Sequence, residues 1–161
     1  MANNPKDQLL LTAVIQMSAM FNRVTNALVA LDHQLELKPN DVTTLLNKAY
    51  LELQVKHYDQ AIPPLTHALS IDTNNYNALL QRAYAYVNAE RYDEAKKDYD
   101  RLRRVFPTSI EVNSGLAEVA WREHDTNTAI RYYELCLTNS VGDKQPPFII
   151  ERLQSLKGEK P

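Results

Sequence analysis

With 161 residues, 44% of them hydrophobic, the chain is long enough to bury the core of one domain. Its charge is nearly balanced, 18 basic against 20 acidic residues, which excludes the broad basic field of a nucleic-acid or membrane-surface binder. Three glycines (Gly115, Gly142 and Gly158) are too few for a turn-rich β fold or a phosphate-cradling loop, and a single cysteine, Cys136, excludes an internal disulfide.

In chain order, residues 1–7 read as a disordered end. Leu9 to Phe21 is apolar, but Asp7 and Gln8 precede it, Lys6 is the only basic residue ahead of it, and Gln16 interrupts it. It reads as the first helix of an atypical opening repeat rather than as a secretory signal, and it is too short to span a bilayer. A period of 34 residues then runs through the chain: Tyr58-Asp59-Gln60-Ala61 is answered by Tyr92-Asp93-Glu94-Ala95. Ala27, Ala61, Ala95 and Ala129 form one column, Leu31, Leu65, Tyr99 and Tyr133 a second, and Ile15, Ala49, Ala83 and Ala117 a third. A fixed period of this length means a stacked array rather than one closed globule.

Each unit carries two helical patterns, such as Leu79, Ala83 and Tyr86 followed by Ala95, Tyr99 and Leu102. Asp41, Asn75 and Ser109 stand where first helices begin and are good N-caps. Asp59 and Asp93 stand near the start of second helices, where the macrodipole favours an anion. Pro39 and Pro107 mark helix ends. Pro63-Pro64 falls near the start of a second helix, where missing N–H groups are tolerated. The units run over 8–41, 42–75, 76–109 and 110–143, a capping helix over 146–157 carries Ile149, Ile150, Leu153 and Leu156, and 158–161 is a disordered end. The whole of 8–157 is expected to form a single domain.

These columns resemble the tetratricopeptide repeat, a helix–turn–helix unit of 34 residues. Unit 76–109 carries the resemblance best, through Leu79, Ala83, Tyr86, Tyr92, Ala95, Tyr99 and Pro107. Unit 42–75 has Glu52 in place of the usual aromatic, and unit 110–143 has Asn113 in place of a large residue. The resemblance implies an all-α fold: a right-handed α-solenoid of about four repeats with first helices lining a concave face. It also implies a non-catalytic adaptor that holds a peptide or partner protein.

By the same resemblance a second stripe on the first helices faces the groove. It holds Leu46 and Tyr50, Leu80 and Tyr84, and Glu118 and Trp121, with Asn47, Gln54, Gln81, Asn88 and Arg122 as polar neighbours. These eleven are the candidate ligand-binding residues. The lysines, arginine and asparagines that clamp a chaperone's C-terminal carboxylate have no matching set here, because Thr12, Asn77 and Gln81 stand where cations are needed. Lys96 to Arg104 reads as a solvated outer face with Asp93–Lys97 and Asp100–Arg104 pairs, not as a nucleic-acid site. No catalytic residue, metal-ligand set or cofactor motif is found, since His33, His57, His67 and His124 are scattered. The expected function is a cytoplasmic protein-interaction scaffold that binds neither nucleic acid nor membrane. The alternatives are a structural self-association module, giving a weak homo-oligomer, or an adaptor segment of a larger catalytic or sensory protein.

Overall fold

The computed structural model describes residues 22–138 and 146–158. The expected first helix of the opening repeat, residues 1–7, Gly142 and residues 159–161 lie outside the described residues. Within them the chain is helical throughout: α1 over 22–37, α2 Val42–Gln54, α3 Tyr58–Ile71, α4 Tyr76–Asn88, α5 Tyr92–Val105, α6 Ile110–Arg122, α7 Thr126–Thr138 and α8 Pro147–Lys157. Helices α2 to α8 stack in chain order, each against the next, and α4 also touches both α2 and α6. The result is an all-α solenoid.

The local signals explain why each helix starts and stops where it does. Asp41 accepts from the Thr43 N–H at 3.2 Å, Asn75 from Ala78 at 3.0 Å and Ser109 from Val112 at 3.3 Å, so all three first helices are capped by their own side chains. The turn that follows is also repeated. Lys56, Glu90 and His124 are 34 residues apart and all left-handed, with φ of 62°, 59° and 64°. The next N–H in each case reaches back six residues: His57 to Glu52, Arg91 to Tyr86 and Asp125 to Ala120, each at 2.8 Å. This is the Schellman arrangement, in which glycine is the usual left-handed residue. Replacing Lys56, Glu90 and His124 by glycine should stabilise by about 0.5–1 kcal/mol each, after the extra unfolded-state entropy of glycine is deducted. A thermal melt of the triple variant should move up by several degrees. A lower midpoint would mean that the left-handed backbone carries no strain here.

The core follows the alanine and large-residue columns. Ala61, Ala95 and Ala129 are fully buried, and Leu65, Tyr99 and Tyr133 nearly so. Gly115 belongs to this packing, because a Cβ there would lie 2.3 Å from Tyr99 Cζ. The two departures from the repeat pattern have local solutions. Buried Glu52 accepts from His57 Nδ1 at 3.0 Å, whereas its counterpart Tyr86 lies 4.6 Å under the Arg91 guanidinium. Asn113 is fully buried and donates to the Pro107 and Ser109 carbonyls at 2.9 and 2.8 Å, tying the preceding loop to α6.

Two local expectations change. Because α3 starts at Tyr58, Pro63 and Pro64 occupy its second turn rather than the first. The carbonyls that lose their N–H partners belong to Asp59 and Gln60, both exposed residues that water can satisfy. The basic stretch of α5 is also not a uniformly solvated face. Among the described residues its ion pairs run between helices: Lys96 bonds Glu123 of the turn after α6 at 2.8 Å. Asp98 turns inward and is 5% exposed.

That inward carboxylate meets Arg82 of α4 in a two-pronged bond, Nε to Oδ2 at 2.7 Å and Nη2 to Oδ1 at 2.8 Å. Arg82 Nη1 also donates to Thr66 Oγ1 of α3 at 3.2 Å. One guanidinium thus ties three consecutive helices together.

Candidate functional site

The first helices α2, α4 and α6 stand side by side, and a groove of about 870 Å³ runs across them. Of the expected site residues, Tyr50, Gln54, Leu80, Gln81, Tyr84, Asn88 and Glu118 line it. Tyr50 and Tyr84 occupy one register column and are 53% and 48% exposed, unusual for aromatic residues this close to a core. Tyr84 is held edge-on by Tyr58, with ring centroids 6.2 Å apart. Partial burial, then the Tyr58 hydroxyl, raises the Tyr84 phenol above its ordinary pKa.

Four expected residues stand elsewhere. Leu46 packs half-buried against the main core. Asn47 lines a separate cleft between α1 and α2. Trp121 packs against the second core cluster with Ile149 and Leu153 of α8, under the Arg152 guanidinium at 4.3 Å. Arg122 donates from Nε to Glu118 Oε1 at 2.9 Å and lies 5.5 Å from the Trp121 ring.

Other lining residues had no separate signal in the first-helix stripe. Tyr99 and Tyr133 start from second helices, yet both reach the groove. Gly115 is the sequence clue for Tyr99, since a missing Cβ leaves room for the ring to pass. Burial holds the Tyr99 phenol far above its ordinary pKa and raises that of Tyr133 to about 12. Tyr133 donates to Glu118 Oε2 at 3.3 Å. Phe148 and Arg152 of α8 close the far end, and Arg152 Nη2 lies 3.6 Å from Glu118 Oε2.

The groove is therefore aromatic and nearly neutral. Its charged lining residues are Lys56 and Arg152 against Glu111 and Glu118, and Glu118 is already paired. The floor still offers polar contacts. Asn88 Nδ2 is used on the Tyr84 carbonyl at 2.9 Å, which leaves its Oδ1 as an acceptor. Gln81 Oε1 is buried with no partner among the described residues. Cys136 is not part of the site: it is fully buried behind α6 and α7, and burial pushes its thiol up to about 11. No group of three or more histidine, cysteine, aspartate or glutamate side chains is placed to hold a metal among the described residues. No described helix is long and apolar enough to cross a membrane.

Residues 52–119 match the family model of the tetratricopeptide repeat. No curated protein sequence matches the chain. Among solved structures, a tetratricopeptide repeat protein from Parabacteroides merdae superposes with a TM-score of 0.76 at 19% identity, covering 97% of this chain and 61% of that one. MamA from Desulfovibrio magneticus gives 0.69 at 21% identity, over 75% of this chain and 68% of that one. The Sgt2 repeat domain from Aspergillus fumigatus gives 0.66 at 24% identity, over 73% and 78%. At such identities the structures establish a shared fold. The family match over the central units, together with this fold, makes the chain a tetratricopeptide repeat protein. Such repeats are in general protein-interaction scaffolds and typically perform no chemistry.

Proposed function

We propose that the chain is a non-catalytic cytoplasmic scaffold, alone or as a segment of a longer protein, that holds a peptide or partner protein in the groove across α2, α4 and α6. The observation that carries this reading is the pair of half-exposed tyrosines, Tyr50 and Tyr84, in one column on adjacent helices. An exposed aromatic backed by a rigid core loses little entropy on binding and buries a large apolar area. The near-neutral lining favours a partner segment that is apolar at its centre, and the free amide acceptors of Gln81 and Asn88 suit its N–H donors. An anionic tail is disfavoured, because Arg152 is already engaged by Glu118.

The test is capture of a partner by the wild-type chain, repeated with Tyr84→Ala and with Arg104→Ala, which lies exposed on α5 away from the groove. The groove reading expects loss with the first variant and retention with the second.

A further inference from the structure

The N-terminal end of the solenoid is unfinished. Ala61, Ala95 and Ala129 are fully buried, yet Ala27 in the same column is only partly covered. Leu65, Tyr99 and Tyr133 are at most 3% exposed, yet Leu31 in their column is also only partly covered. In later units a first helix covers these columns. Here they border an apolar cleft lined by Ala27, Ala30 and Leu31 of α1 and Asn47, Tyr50 and Leu51 of α2.

A first helix folding back from the same chain would need a turn. In register with Lys56, Glu90 and His124 that turn falls at Asn22, but residue 22 is helical. Between Gln8 and Phe21 the sequence has no glycine, proline, asparagine or aspartate to make an earlier one. The neighbouring charges are already engaged locally, Asp32 with Lys48 and His33 with Glu36. What remains is an apolar face with a polar rim, the usual layout of an interface.

We propose that this face of α1 and α2 is a self-association surface, covered by the same face of a second copy of the chain. A two-fold arrangement satisfies both copies with one patch. The apolar residues of the preceding segment, Leu9 to Phe21, would extend the contact toward the roughly 800 Å² per partner that a stable interface needs. Tyr50 borders both the cleft and the groove, so the dimer would set two grooves end to end. This inference does not depend on what the groove binds.

Sedimentation equilibrium of the full chain in the micromolar range tests it. The wild type should be a dimer, and Ala30→Glu or Leu31→Asp should weaken self-association by at least about tenfold while the circular dichroism and melt stay cooperative. Ala30 is exposed, so its variant should fold even if Leu31→Asp does not. Tyr84→Ala and Arg104→Ala should leave the dimer intact. A wild-type monomer at every concentration, meaning that the cleft is covered in cis or by another protein, would overturn the proposal. So would a dimer indifferent to Ala30→Glu.

Discussion

Asp98→Ala should lower the stability of the fold by about 3–5 kcal/mol, because it strands the Arg82 guanidinium at a site only 16% exposed. Arg82 cannot give up its charge to escape the cost. For a domain of this size such a loss is a large fraction of the total and corresponds to a fall in melting temperature on the order of 10 °C. Removing both partners differs in kind from removing one. Arg82→Met with Asp98→Leu deletes the desolvation penalty along with the attraction and should recover most of the loss. Denaturant melts of the two single variants and the double variant make the comparison. If Asp98→Ala stays within about 1 kcal/mol of wild type, the pair is far better hydrated than its burial indicates.

Deleting residues 146–161 should have a comparable effect. It removes the burial of Ile149 and Leu153, each contributing about 1.5–3 kcal/mol, and uncovers Tyr133 and Cys136 beneath them. The expected result is a clear drop in melting temperature or aggregation of the truncated chain. Ile149→Ala provides a milder version, since its side chain is fully buried and a cavity there should cost about 2–5 kcal/mol. A truncated chain with an unchanged melt would show that α8 does not cap the array.

The sequence made some of this legible and hid the rest for identifiable reasons. The alanine and large-residue columns could be read because a stacked array buries the same positions in every unit. The N-caps could be read because Asp41, Asn75 and Ser109 act within three residues of themselves. The Arg82–Asp98 pair could not, since its members are 16 residues apart and on different helices, whereas sequence spacing reveals only pairs on one helix. Much of the groove followed from the first-helix stripe. Tyr99 and Tyr133 were read only as core because their columns say nothing of how far a phenol reaches past a glycine. Phe148 and Arg152 depend on how α8 docks, which the repeat period does not specify. Trp121 stood in the right stripe, but α8 lies over it and engages its ring through Arg152.

The role of the groove can be measured directly. A captured partner, titrated calorimetrically into the wild-type chain, Tyr84→Ala and Arg104→Ala, reports which face binds. A micromolar complex is worth about 8 kcal/mol, and one central aromatic anchor carries about 2 of that. The account predicts that Tyr84→Ala binds about 30-fold more weakly while keeping the wild-type melt, and that Arg104→Ala binds as the wild type does. Full affinity in Tyr84→Ala, with binding lost in Arg104→Ala, would contradict it.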